Sequence, residues 1–295
     1  MLSLAAFRYR NVFAEHGGPV DSVASGEFRV CGRRMIQANA RLVAGLTPRG
    51  EFTLYGNADG SGTHRLASVA RHMAVSEALE RWAFHTVVRS ERAAEFGYHV
   101  DPSSNGMSAF PGFFARHARR KAMLEAVERF SLIAWWEGRV AGRLRDTDWP
   151  GVSAVAIEGP FGGVTALVFA KTDFGMYAYG HAAEETFGAA CERALVELAR
   201  HEHVVRAWWL ASISGDKRTP ADLFERRCLF FSTEEGHEQF LRRIRERPAG
   251  PAPAAELVCD REIPGPWSDY ATVWRYALRP PADGFLHAGH NYFFW

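Results

Sequence analysis

Apolar and polar positions alternate between residues 26 and 56, through Phe28, Val30, Leu42, Val43, Phe52 and Leu54, with glycines such as Gly45 marking turns. A period of two predicts two or three strands there. Asn57-Ala58-Asp59-Gly60-Ser61-Gly62 reads as a glycine-rich turn, either an ordinary loop or one where backbone approaches a ligand. The pattern then turns helical from about Arg65 to Val88 and again from about Phe113 to Gly138, where Phe130 to Trp136 is apolar enough for core. Between these helices lies Asp101-Pro102-Ser103-Ser104-Asn105-Gly106, a loop with turn chemistry. Val152 to Ile157 and Val164 to Lys171 read as a hairpin across Gly159 to Gly163, and Met176 to Gly180 as a short third strand. A long helix is predicted from Ala183 to about Ile213. Charged helices follow at 219–227 and 233–247, then a Pro-Ala linker at 248–253 and a strand from Tyr270 to Leu278. The end, from Gly284 to Trp295, is aromatic to its last residue. Such a run is rarely left in water, so it docks on this fold, on a partner chain or beside an active site.

Strand, turn and helix in succession predict an α/β class of α+β type, with mixed sheets packed by long helices. At 295 residues and 47% apolar, the chain can bury a full core. A formal net charge of +1 gives no footprint for nucleic acid. Cys31, Cys191, Cys228 and Cys259 are scattered without a CxxC pair, which argues for a reducing cytosol and against a disulfide framework or zinc site. The opening MLSLAAFRYRNVF lacks the long apolar core of a signal peptide, and no apolar run reaches membrane-spanning length. A cytoplasmic protein is expected.

The chemistry-bearing feature is a near-repeat, Glu77-Ala78-Leu79-Glu80-Arg81 and Glu125-Ala126-Val127-Glu128-Arg129. On a helix, positions i, i+3 and i+4 share a face, so each segment presents two carboxylates and a guanidinium together. Two such helices facing each other would gather oxygen ligands for Mg²⁺ and arginine forks for phosphate. The plainer alternative is two solvated faces stabilised by Glu–Arg pairs. The helix from Ala183 adds Glu192, Glu197, Arg200, His201, Glu202 and His203. His201 and His203 lie two apart and so on different faces, which argues against a metal pair between them.

The order of these parts resembles the YcaO family, ATP-dependent enzymes that modify peptide backbone amides. The carriers are Ala70 with Glu77-Ala78-Leu79-Glu80-Arg81, Ser103-Ser104-Asn105-Gly106-Met107-Ser108-Ala109, Glu125-Ala126-Val127-Glu128-Arg129, and the strand pair before Ala194-Leu195-Val196-Glu197-Leu198. The resemblance is clear over about 55–210 and weak over 215–295, and it implies a single YcaO-like domain over 1–295. It implies ATP and Mg²⁺ as cofactors, with Glu77, Glu80, Glu125, Glu128 and Glu197 as metal ligands. Arg81, Ser104, Asn105, Arg129 and Arg200 would contact the nucleotide. Where the family carries Gly-Lys-Gly this chain has Gly62-Thr63-His64, with Arg65 next. The family's serine before the first glutamate is Met73, its glutamine after Glu197 is Arg200, and the proline-rich tail of many azoline-forming members is not seen.

The chemistry implied by the resemblance is addition of a nucleophile to a backbone carbonyl whose oxygen ATP then phosphorylates, so that phosphate leaves. Azoline-forming cyclodehydration of a ribosomally made precursor peptide is the leading reading, with thioamide or amidine formation beside it. The alternative is a degenerate, non-catalytic subunit that serves as a docking or regulatory partner. No proton acceptor is assigned; His181, His201 and Glu202 qualify by position only. No leader-binding domain is recognised, which predicts a leader-binding or E1-like partner, and the aromatic end favours association, including a homodimer.

Overall fold

A computed structural model describes residues 4–49, 53–56, 58–112, 115–215 and 218–293. The expectations placed on Phe52, Asn57, Phe113, Phe294 and Trp295 lie outside them. The chain divides into two compact units, one of 1–49, 57–126 and 256–279, the other of 50–56, 127–255 and 280–295. Both combine antiparallel sheets with helices, as the expected α+β class requires.

In the first unit, α1 (Ala5–Arg8) precedes β1 (Val20–Val30) and β2 (Arg33–Leu42), a hairpin closed at Cys31 and Gly32, both with positive φ. β2 also pairs with β3 (Gly60–His64), giving the order β1-β2-β3. α2 (Ala67–Val87) packs its Ala70, Ala74, Ala78 and Leu79 face into a core with Ala38, Ala40, Met107 and Trp267. A second sheet orders β4 (Met107–Phe110), β10 (Thr272–Leu278) and β9 (Leu257–Glu262), so chain ends far apart in sequence meet here. α3 (Arg116–Trp136) contributes its first half to this unit and its second half to the other.

The second unit is built on a four-stranded meander, β5 (Gly142–Arg145), β6 (Val152–Glu158), β7 (Val164–Lys171) and β8 (Tyr177–Glu184). α4 (Phe187–Ile213) covers β7 and β8 and is capped by Thr186, whose hydroxyl accepts from the Ala189 N–H at 3.4 Å. Leu132, Trp135, Val155, Leu167 and Tyr179 form a core with α5 (Leu223–Phe231) and α6 (Glu234–Arg245). The aromatic end docks on this unit: after α7 (Gly284–His287), Phe293 packs on Trp136 at 5.6 Å and on Phe231 at 4.9 Å. Buried Arg227 donates to the carbonyls of Phe285, Ala288 and Gly289 at 2.7–3.0 Å, which fixes the path of that end.

Two expectations are corrected. The glycine-rich turn at 57–62 is in part a strand, β3, and the short strand expected from Met176 to Gly180 runs on as β8 to Glu184, so the helix begins at Phe187 rather than Ala183. The reason is close packing. A Cβ on Gly60 would stand 2.2 Å from the Ala74 carbonyl oxygen, and one on Gly62 would stand 2.1 Å from that of Ala70. A Cβ on Gly180 in β8 would likewise stand 2.1 Å from the Ala194 carbonyl oxygen. Helix backbone thus lies directly on strand backbone, and only glycine leaves room. The same interval separates Gly60 from Glu77 and Gly180 from Glu197, so each unit uses one device to aim a helix-borne glutamate. Gly180→Ala is therefore expected to lose at least about 1–3 kcal/mol in urea denaturation, the range for overpacking a filled site. Gly26→Ala, where a Cβ meets nothing within 4 Å, is expected to stay within about 0.5 kcal/mol of wild type.

Candidate functional site

Three predicted ligands come together in the first unit. Glu77 accepts the Ser61 backbone N–H at 3.2 Å, a bond made possible by the close approach of α2 to β3, and lies 3.9 Å from Arg81 one turn on. Glu80, half-buried, accepts a hydrogen bond from the Ala109 backbone of β4. Its carboxyl is pushed well above the usual range, first by burial, then by the negative charges of Glu125 and Glu77; Arg81 and the Ala109 bond oppose this without overcoming it. The carboxylates of α2 and of the first half of α3 therefore lie near enough to repel one another. Like charges so placed are relieved by a proton or by a cation.

The predicted Ser-Ser-Asn loop belongs to the same unit. Asp101 Oδ1 accepts the Ser103 N–H at 3.1 Å, and Ser103 Oγ accepts from the Asn105 backbone and side-chain nitrogens at 3.3 and 3.2 Å. Gly106 follows at φ +78°, where a Cβ would stand 2.2 Å from the Tyr276 carbonyl oxygen. A fully buried guanidinium holds the loop from below: Arg275 of β10 donates to the carbonyls of Phe96, Asp101, Ser103 and Asn105 and lies 4.5 Å over the Tyr98 ring. Sequence reasoning missed Arg275. Its signal was a lone charge inside the apolar run Val273-Trp274-Arg275-Tyr276-Ala277.

In the second unit, Glu128 is oriented by two donors, His181 Nδ1 at 2.7 Å and the Ala183 N–H at 3.1 Å. Burial acts to lower the pKa of His181, but the charge and hydrogen bond of Glu128, with help from Glu197, prevail and raise it. Glu197 is exposed and takes Arg200 at 2.9 Å. Arg129 is buried and lies 4.8 Å over the Phe285 ring. His201 is buried, with its Nδ1 accepting the Tyr179 N–H at 3.0 Å, while Glu202 bonds Arg206 at 3.3 Å. Those two belong to the packing of α4. The departures also have places: Thr63 is buried with its hydroxyl donating to Gln37, His64 Nδ1 accepts the Leu66 N–H, and Met73 lies against Gly62.

Among the described residues, no group of three or more His, Cys, Asp or Glu side chains is gathered closely enough to hold a metal ion alone. The first unit's Glu77 and Glu80 nonetheless have the donor chemistry that Mg²⁺ arriving with a polyphosphate would need, since that ion is commonly bound through one or two carboxylates while phosphate and water supply its other oxygens.

No protein-family model matches the chain, and no curated protein matches it. Among solved structures, it is similar to a chain of the E. coli microcin synthetase McbBCD complex, and to that complex with pro-MccB17 bound. In both cases the TM-score is 0.53 at 10% identity, covering 88% of this chain and 87% of the other. The fold is shared. The α+β architecture expected from the motif order is thereby borne out. Among the described residues no helix is long and apolar enough to cross a membrane.

Proposed function

We propose that this chain is a cytoplasmic, ATP- and Mg²⁺-dependent enzyme of YcaO type that activates backbone amides of a ribosomally made precursor peptide, with azoline-forming cyclodehydration as its reaction. The observation that carries the reading is that Glu77, held by the Ser61 N–H, and Glu80, held by the Ala109 backbone and repelled by Glu77 and Glu125, share a unit with the Ser103–Asn105 loop that Arg275 fixes. The likeness in fold to a chain of a peptide-bound synthetase complex supports it, and that assembly supports a leader-binding or E1-like partner.

On this reading, Glu77 and Glu80 are set before the reaction by backbone donors at Ser61 and Ala109, and Glu128 by His181 and Ala183. Fixed carboxylates need no reorganisation when they meet a cation, which is where preorganised sites gain most. Arg81, beside Glu77, and the hydroxyl and amide groups of Ser104 and Asn105 supply positive charge and donors for phosphate oxygens. In the second unit, Glu197 and Arg200 form a carboxylate–guanidinium pair of their own. Mg-ATP, when bound, would supply the phosphoryl group that turns an amide oxygen into a leaving group.

Calorimetric titration of Mg-ATP into the wild type and a Glu77→Gln/Glu128→Gln variant tests this. Binding by the wild type and a loss of about tenfold or more in the variant, with unchanged melting, is the expected result. A folded wild type that binds no Mg-ATP overturns the reading and leaves a non-catalytic subunit in its place.

A further inference from the structure

A groove of about 1170 Å³ lies wholly within the second unit and has no part in the nucleotide chemistry proposed above. Phe130 and Ala134 of α3 and Ala156 of β6 line it, as do Pro248 and Pro253 of the linker. β5 forms one wall, and among the described residues the sheet order β5-β6-β7-β8 leaves that strand paired on one side only. An edge strand offers a row of backbone N–H and C=O groups to any chain that can lie beside it.

Charge decides what that chain is. Arg139, Arg143 and Arg145 line the groove against two carboxylates, Asp146 and Glu158. Arg143 meets Glu158 at 3.2 Å, but both side chains are largely exposed, so that pair is weak and exchangeable. Among the described residues, Arg139 and Arg145 have no carboxylate partner. Leu144, between the two strand arginines, is 60% exposed. A second copy of this edge would set arginine against arginine, which disfavours self-pairing. An extended peptide with alternating acidic and apolar residues matches both the charges and the alternation.

We infer that the groove beside β5 binds an extended acidic segment of the precursor peptide as an added strand. That the peptide is a precursor rests on the function proposed above; the strand addition rests on β5 and its arginines. The probe is a short fluorescent peptide of alternating glutamate and valine, followed by anisotropy without ATP. Binding to the wild type is expected, weakened about tenfold or more by Arg143→Glu/Arg145→Glu. Both positions are exposed, and unchanged circular dichroism will show that the variant folds. On the wild-type protein, a lysine–valine peptide and a glutamate–proline peptide, which lacks alternate N–H donors, are expected to bind at least about tenfold less well. No binding of the glutamate–valine peptide, equal binding of the three peptides, or indifference to the double substitution overturns the inference. A chain that binds Mg-ATP but not this peptide loses this inference alone. One that binds the peptide but no nucleotide loses the enzymatic reading and the peptide's identity as a precursor, while the strand addition at β5 stands.

Discussion

Arg275→Met is expected to destabilise the protein by roughly 3–5 kcal/mol, the range for stripping a buried charged donor from its partners. The side chain is fully buried and satisfies four carbonyls, those of Phe96, Asp101, Ser103 and Asn105. Methionine fills most of the volume but donates nothing, so the carbonyls must reach water or remain unpaired. The loop from Asp101 to Gly106 would loosen first, because it loses every bond to the guanidinium and keeps chiefly local ones among Asp101, Ser103 and Asn105, with the Tyr276 N–H still held by the Gly106 carbonyl at 2.8 Å. Urea denaturation gives the magnitude, and amide exchange over 101–106 gives the location. Arg275→Lys keeps the charge but replaces a planar fork by a point donor, and is expected to lose roughly half as much. A methionine variant within about 1 kcal/mol of wild type would show that the guanidinium only fills space. The effect also bears on function, since Ser104 and Asn105 are the proposed phosphate contacts on that loop.

Why the sequence pointed to this loop but not to its support is a matter of range. Asp101-Pro102-Ser103-Ser104-Asn105-Gly106 is legible because turn chemistry is local, and α2, α3 and α4 because apolar periodicity over a long helix is hard to mimic. The carboxylate pairs were legible for the same reason. Arg275, His181 and the Ala109 backbone act on partners from distant parts of the chain, so no window of sequence contains both halves of the interaction. β3 was read as a turn because Gly60-Ser61-Gly62 has turn composition. Its glycines answer instead to the helix lying on it, a tertiary demand that overrides propensity. β4, β5 and β9 escaped notice because four to six residues carry too little alternation to read.

Acidification from pH 7 to 4 is expected to remove about 3 kcal/mol of stability through each of two histidines buried in the second unit. His201 and His237 are both held in the neutral form, with pKa values lowered to about 4, chiefly by burial. His201 Nδ1 faces the Tyr179 N–H, so a proton there would point at another donor. His237 stacks on Tyr177 at 3.6 Å and shares a 2.7 Å hydrogen bond with the Tyr179 hydroxyl; Glu234 favours its charged form and Lys171 opposes it. In the unfolded chain both titrate near 6.5, so between about 6.5 and 4 the unfolded state binds the extra protons. Stability from each is complete above that window and declines as pH falls through it, by about 2 kcal/mol at pH 5 and about 3 at pH 4. Groups shifted upward act the other way: His181, Glu80 and Glu225 bind protons earlier in the folded state and favour it as pH drops. The comparison must therefore be made between variants. His201→Asn keeps an acceptor for the Tyr179 N–H and cannot titrate. Its stability between pH 7 and 5 is expected to fall by about 2 kcal/mol less than that of the wild type, with His237→Asn behaving alike; the double variant is expected to show a larger difference than either alone, without strict additivity, since both imidazoles bond Tyr179. Equal pH slopes for wild type and double variant in urea denaturation would show that neither imidazole is kept neutral by the fold.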